Sequence, residues 1–207
     1  MKKIIIFLLY GLVQSSCNSP SDKSDQPIKI NVDSIENDDI IFDIDSSKWY
    51  AQKPSELLVM LKLLGQPPQF KESEIVGLFT YNKSPVINYP SIMIVNKHIA
   101  SEPPSLSQLE RELGAMTITL EEIEKQNKMK LGEFIGGLDF KTPILIKDKQ
   151  LILTETTAQI LKNQTLKIRQ AIFYRGKSIM TIQFSYIEGR DNDHLKDYNR
   201  IVESIQF

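Results

Sequence analysis

The sequence contains little cysteine and little histidine, which excludes disulfides within the chain and the common zinc sites. One of its 207 residues is cysteine and two are histidine. A single cysteine cannot form a disulfide within the chain, and one cysteine with two histidines cannot supply the ligands of the common zinc sites. We therefore assign no disulfide, no metal ligand and no metal cofactor.

An excess of charge of one sign is also missing. The chain carries 25 basic and 26 acidic residues, its pI is near 6.2, and no block of five basic residues occurs. Proteins that bind nucleic acid usually present a clustered positive surface to the phosphates. The charge balance therefore predicts no nucleic-acid partner.

Long hydrophobic runs are absent as well. The apolar run near the amino terminus covers about ten residues, from Ile4 to Val13, and follows Lys2 and Lys3. A helix needs roughly 18 to 20 apolar residues to cross a bilayer, so this run is too short for a permanent span. Two basic residues, a short apolar run and small polar residues are typical of a secretory signal peptide, which we assign to residues 1–16.

The position of the only cysteine favours a more specific interpretation. Cys17 directly follows the apolar run and precedes a tract rich in serine and charge. This layout resembles a bacterial lipoprotein signal, which implies cleavage before Cys17, a diacylglycerol on its sulfur and an acylated amine. Several acyl chains would hold the protein at a membrane without further contacts. An ordinary cleaved signal peptide is the alternative.

Residues 17–39 are predicted to form an acidic, flexible tether. The segment from Asn18 to Ile40 has six acids against two lysines, and such a polar, self-repelling chain favours an extended conformation. Asp33-Ser34-Ile35 resembles an O-glycosylation sequon of some Gram-negative bacteria, with Ser34 as the candidate acceptor. Asn18 after the cysteine is compatible with outer-membrane sorting, and we expect the domain to face the periplasm.

The first half of the remaining chain is predicted to mix strands and helices. Branched and aromatic residues next to turn formers indicate strands at 40–44, 49–52, 75–81 and 91–97. A short helix with leucines at helical spacing is predicted from Ser55 to Leu64. A long helix begins at Ser105, whose spacing from Gln108 matches a capping box, and is predicted over 105–126. Its apolar stripe favours packing on a sheet, with a coiled coil as the alternative.

The last third is predicted to be an antiparallel meander followed by a terminal helix. Three strand segments cover 150–161, 164–175 and 178–187, with turns at Asn163-Gln164 and Gly176-Lys177. In the last strand, Met180, Ile182, Phe184 and Tyr186 share one face. A helix is predicted to open near Asp191 or Asp193.

The order of these elements resembles the PsbP-like superfamily. The resemblance rests on the segments FDIDSSKWYAQKP, PSIMIV before the long helix, YRGKSIMTIQFSY and YNRIVESIQF, and it covers residues 40–207. It implies an α/β (α+β) fold in which an antiparallel sheet lies between helices, an α/β/α sandwich. Since this superfamily includes bacterial lipoproteins and chaperone-like binding proteins, it also implies a binding module.

The residues that could carry chemistry form no catalytic motif. His98 and His194 are the histidine bases available, and neither belongs to a nucleophile motif. Asp191, Asn192, Asp193, His194 and Asp197 could gather around a cation, but they lack the EF-hand spacing and are interpreted as a helix cap. We assign no catalytic and no cofactor-binding residues.

Charged residues also occur inside the predicted meander. Glu155 lies between threonines, and Lys167, Arg169 and Arg175 alternate along one face of the next strand. A solvent-exposed face explains both features, and binding of an anionic partner or lipid headgroup is the alternative for the cations.

The sequence thus predicts a lipid-anchored envelope protein that binds a protein or small ligand and has no catalytic activity. Its membrane contact is the lipid at Cys17, and its location is the periplasmic face of the outer membrane. Two alternatives remain: an envelope hydrolase with paired carboxylates, and an immunity-type lipoprotein that blocks a toxin.

Overall fold

The computed structural model describes residues 28–32, 40–45, 47–55, 71–81, 90–115, 138–161 and 164–204. Ten strands lie within these ranges: β1 Ile28–Val32, β2 Ile40–Ile44, β3 Trp49–Ala51, β4 Ile75–Tyr81, β5 Ser91–His98, β6 Leu138–Phe140, β7 Ile144–Ile146, β8 Leu151–Leu161, β9 Gln164–Arg175 and β10 Ser178–Ile187. Residues 106–115 are helical and are called α1, and Leu195–Glu203 form the terminal helix α2. The described part of the chain contains no helix long and apolar enough to cross a membrane.

Eight strands form one sheet in which the described pairs are all antiparallel. Its order is β3-β4-β5-β10-β9-β8, and the outer edge of β8 pairs with β6 at one end and with β7 at the other. The predicted meander of β8, β9 and β10 is confirmed almost to the residue. Gly176 has a φ of 47° in the β9–β10 turn, a left-handed conformation that glycine adopts at little cost.

The predicted tether differs from the structure at β1. Ile28–Val32 pair with Ile40–Ile44 as a separate two-stranded antiparallel sheet, although residues 17–39 are predicted to form a flexible, extended tether. The alternation of isoleucine and valine with polar residues is the local signal for a strand here, and the acidic composition of the surrounding segment obscures it.

Helices cover opposite faces of the large sheet. On one face, Met180, Ile182 and Phe184 of β10 pack in a core with Tyr198 and Ile201 of α2. On the other face, Leu109 of α1 packs with neighbours from the sheet, which are Ile152, Ile172 and Ile179. The predicted sandwich of helices around an antiparallel sheet is confirmed by this arrangement. The long helix is confirmed for residues 106–115. The rest of its predicted range, which includes Met116 and Leu120 of its apolar stripe, and most of the short helix at 55–64 lie outside the described residues.

The polar residues of β10 are buried and not in contact with solvent. All ten residues of the strand are buried, including Thr181, Gln183 and Ser185 on the α1 face. Gln170 donates to Gln183 at 2.8 Å, and Gln183 donates to Ser185 at 3.2 Å. The first bond joins β9 to β10 and the second lies within β10, and together they offset the cost of removing these side chains from water.

A long-range hydrogen bond fixes the position of α2. The indole nitrogen of Trp49 in β3 donates to the Asp197 carboxylate of α2 at 3.2 Å, and both residues are buried. The Trp49 ring also contacts Phe184 of β10 edge to face, with centroids 6.2 Å apart. The edge strand, the central strand and the terminal helix are thus held together around one tryptophan.

Candidate functional site

On the face of the sheet that α2 covers, strands β8 and β9 carry charged side chains next to their apolar ones. Strand alternation places Leu153 and Glu155 of β8 on this face, and the register sets Glu155 directly opposite Arg169 of β9. Two residues further on, Lys167 lies beside Arg169 on the same face. The charges are therefore adjacent on two paired strands.

Glu155 is the centre of this charged cluster. Its carboxylate lies 2.5 Å from the Lys141 ammonium, 2.8 Å from the Arg169 Nε and 3.9 Å from the Lys167 ammonium. Lys167 makes a second ion pair, with Glu188 at 2.5 Å. Lys141 is positioned through the backbone, since its N–H donates to the Glu155 carbonyl at 3.0 Å.

Burial and the cations act on Glu155 in opposite directions. Its side chain is 11% exposed, and this burial alone would raise the pKa of the carboxyl group. The contact with Lys141 and the positive charges of Arg169 and Lys167 outweigh burial, so that the pKa of Glu155 lies below its usual value. The carboxylate therefore stays ionised at neutral pH.

A cleft of about 500 Å³ opens beside the cluster. Its walls come from residues 141–146, which include β7, from strands β8 and β9, and from helix α2. Its apolar lining comes from Ile144, Ile146, Leu153 and Val202, and its polar lining includes Lys141, Thr142, Glu155, Arg169, Tyr198, Asn199 and Glu203. The volume lies within the usual range for sites that take small molecules.

Tyr198 contributes a buried hydroxyl group to this cleft. The residue is 4% exposed, and its ring stacks on Phe184 with centroids 5.5 Å apart. Its hydroxyl oxygen has no hydrogen-bond partner among the described residues. Burial raises the pKa of Tyr198, while the opposing charges of Arg169 and Glu155 act on the same hydroxyl. The group is therefore neutral, close to the charged cluster and unsatisfied.

The structure corrects the expectation that the charged residues of the meander form a solvated face. Glu155 is 11% exposed, and the side chains of Lys167 and Arg169 are 17% and 32% exposed. Arg175 points to the same side of β9 but does not line the cleft. The alternating cations are thus divided: two belong to the cluster around Glu155 and one does not.

The other candidate residues are not brought into the cleft. His98 is exposed at the end of β5, and His194 lies against Tyr81 with ring centroids 4.0 Å apart. Asp191 accepts from the backbone N–H of Ile187 at 2.9 Å, so it closes the turn after β10 instead of capping the following helix. The described residues hold no group of three side chains arranged for a metal ion. Cys17 and Ser34 lie outside the described residues.

Two residues of the site have no motif in the sequence. Lys141 lies between β6 and β7, two short strands that are not predicted. Tyr198 falls in the apolar stripe of the terminal helix, where it is indistinguishable from a core aromatic residue. One signal in the sequence could have led to the site. Neighbouring strands of a meander pair with each other, so Glu155 of β8 can be expected near Lys167 and Arg169 of β9.

Comparison with known proteins gives a similarity at the level of structure. No family model and no curated protein matches the chain. Among solved structures, it is similar to cyanobacterial PsbP (CyanoP) from Synechocystis sp. PCC 6803, with a TM-score of 0.51 and 13% sequence identity. The similarity covers 92% of this chain and 96% of that one. Since such low identity shows the fold alone, the conclusion is that the chain has a PsbP-like fold.

Proposed function

We propose that this protein is a lipid-anchored binding protein of the cell envelope that holds a small ligand in the cleft beside Glu155 and catalyses no reaction. The observation that carries the proposal is the cleft itself, in which the buried Tyr198 hydroxyl has no partner among the described residues. A buried polar group without a partner costs stability, and a ligand that satisfies it recovers that cost.

The anchor is inferred from the sequence. Cys17 is the only cysteine and directly follows the apolar run of the signal-like segment. Lipid at Cys17 would keep the domain at the periplasmic face of the outer membrane, and the residues between Cys17 and β1 would set how far it reaches.

The state of Glu155 disfavours acid–base catalysis at this site. A catalytic carboxylic acid needs a raised pKa to hold a proton near neutral pH. The pKa of Glu155 is lowered, and both carboxylate oxygens contact cations. Glu155 therefore acts as a fixed counter-charge that positions Arg169 and Lys141 around the cleft.

The anchor is tested with the full-length chain expressed in a Gram-negative host. Intact-mass measurement of the wild-type protein should give a chain beginning at Cys17 and carrying acyl groups, and Cys17→Ser should leave the membrane fraction or remain unprocessed. An unmodified chain cleaved at another position would refute the anchor.

The binding function is tested with a variant that fills the cleft. Thr142 is exposed and lines the cleft, whereas Ser101 is exposed and does not line it, so Thr142→Trp and Ser101→Trp form a matched pair. Native mass spectrometry of full-length protein released from membranes should detect a bound small molecule in the wild type and in Ser101→Trp. Thr142→Trp should have lost it. A wild-type protein without any bound molecule would contradict the proposal.

The two alternative functions give different results. The protein would be an enzyme if the purified chain turns over a cell-wall polymer or ester and a folded Glu155→Gln variant does not. Rescue of cells from a co-encoded toxin, unaffected by Thr142→Trp, would establish an immunity protein.

A further inference from the structure

The cleft has an apolar wall on the side of β7 and α2. Ile144, Ile146 and Val202 supply it, and Ile144 is 61% exposed, the one large hydrophobic side chain among the described residues that is strongly exposed. Exposure of an isoleucine next to other aliphatic side chains leaves apolar surface in water, which an aliphatic ligand would cover.

The opposite side of the cleft offers hydrogen-bond donors with unused capacity. Arg169 contacts Glu155 through Nε, and no other ion pair of its guanidinium involves a described residue. An arginine has five N–H donors, and the pair of terminal nitrogens has the geometry that binds a carboxylate with two parallel bonds. The buried Tyr198 hydroxyl, which also lines the cleft, adds a further donor without a partner among the described residues.

The charges of the inner cluster favour an anion. Lys141, Lys167 and Arg169 face Glu155 and Glu188, which leaves one positive charge in excess. The remaining acid of the lining is Glu203 on α2, which is exposed and therefore well screened by water. An incoming carboxylate would balance the cluster.

Building on the proposed function, we propose that the ligand is a small amphipathic carboxylate, with its head group bound by Arg169 and Tyr198 and its aliphatic chain lying against Ile144, Ile146 and Val202. Glu155 holds the Arg169 Nε and so orients the guanidinium toward the head group. A cationic ligand would meet Lys141 and Arg169, the two basic side chains of the cleft lining. A neutral ligand would leave the excess positive charge unbalanced.

The probes are octanoate and its neutral amide, octanamide, which share a chain and differ in charge. The lipidated wild-type protein is reconstituted in phosphatidylcholine nanodiscs, and binding is measured by isothermal titration calorimetry with empty nanodiscs subtracted. We expect octanoate to bind at least about tenfold more tightly than octanamide, the difference typical of a charge-assisted hydrogen bond.

Two substitutions, each with a matched control, locate the head group. Arg169→Gln should weaken octanoate binding about tenfold or more and leave octanamide nearly unchanged, and Tyr198→Phe should weaken octanoate about threefold or more. Arg175→Gln, on the same strand outside the cleft, and Tyr174→Phe, on the opposite face of the sheet, should stay within about twofold of the wild type. Urea denaturation of each variant establishes that it is folded, and Tyr198→Phe carries the test if Arg169→Gln does not fold.

The proposal is overturned if octanoate binds no more tightly than octanamide, or if folded cleft variants retain the wild-type affinity for octanoate. Its failure is distinguishable from that of the proposed function. A neutral or cationic molecule that co-purifies with the wild type and is lost in Thr142→Trp would remove the carboxylate assignment and preserve the binding function.

Discussion

Removing the hydroxyl group of Tyr198 should make the protein more stable. The hydroxyl oxygen is buried without a partner among the described residues, and its removal by Tyr198→Phe leaves the aromatic ring in place against Phe184. The stacked rings, with an interplanar angle of 16°, keep their contact area. The substitution therefore deletes a desolvated polar atom and preserves the packing.

The size of the effect follows from the cost of burying such a group. An unsatisfied buried hydroxyl costs about 1 to 3 kcal/mol, and loss of van der Waals contacts of one oxygen atom offsets part of this. We expect the free energy of unfolding to rise by about 1 to 2 kcal/mol, which corresponds to an increase in Tm of about 2 to 8 °C for a domain of this size.

The measurement is urea denaturation of the full-length chain, free of ligand, at pH 7. Tyr174→Phe is the control, because Tyr174 is half-buried on the other face of the sheet and its hydroxyl is not an unsatisfied buried atom; its stability should change by less than about 0.5 kcal/mol. A loss of about 1 kcal/mol or more in Tyr198→Phe, with an unchanged m value, would show that the hydroxyl has a partner in solution.

The pH dependence gives an independent check of the same burial. Burial raises the pKa of Tyr198 above its usual value of 10.0, so above pH 10 the unfolded chain loses a proton that the folded protein keeps. The folded state then binds more protons, and the stability of the wild type should fall as the pH rises above about 10. Tyr198→Phe should show a smaller decrease. Parallel curves for the two proteins would contradict the raised pKa.

Three further predictions concern the fold. Asp197→Ala should lower the free energy of unfolding by about 1 to 3 kcal/mol in urea, because it leaves the buried indole N–H of Trp49 without its acceptor, whereas Asp197→Asn should cost less. The hydrogen bond and ion pair with Lys48 hold the pKa of Asp45 at about 2, so the stability of the wild type should fall as the pH drops from 4 toward 2. Asp45→Asn should therefore cost about 1 kcal/mol at pH 7 and little at pH 2. An equal cost at both pH values would exclude this linkage. Leu109→Ala should cost about 2 to 5 kcal/mol by calorimetry or urea, and a change below about 0.5 kcal/mol would mean that α1 does not pack on the sheet.

The sequence determined the elements whose local pattern agrees with their tertiary environment. The strands of the meander have long runs of branched and aromatic residues, and Gly176 marks the turn between two of them, so β8, β9 and β10 are predicted with nearly their observed ends. The capping pattern at Ser105 is also realised, because its backbone N–H donates to the Gln108 side chain at 2.7 Å. In such segments the intrinsic preference and the fold favour the same conformation.

Short strands and the burial of polar faces could not be determined in this way. β6 and β7 have three residues each and exist because they pair with the edge of β8, so their stability comes from a distant segment. The glutamine and serine side chains of β10 have the pattern of an exposed face, but the fold buries them. Gln170 of the adjacent β9 then donates to Gln183, which in turn donates to Ser185 within β10. Periodicity identifies which residues share a face, and the tertiary structure decides which faces meet solvent.

The candidate site depends on one irregularity in the pairing of β8 with β9, which the alternation of side chains in the sequence does not predict. Near the turn, Leu161 pairs with Gln164, and continuation of that register would set Glu155 opposite Gln170, on the α1 face of β9. The register shifts by one residue between Gln159 and Leu161, and this shift sets Glu155 opposite Arg169. Because neighbouring residues of a strand point to opposite faces, this single shift brings acid and base together. The sequence supplied the charges. The register shift, together with the contacts of Lys141 and Tyr198 from separate elements, made them a site.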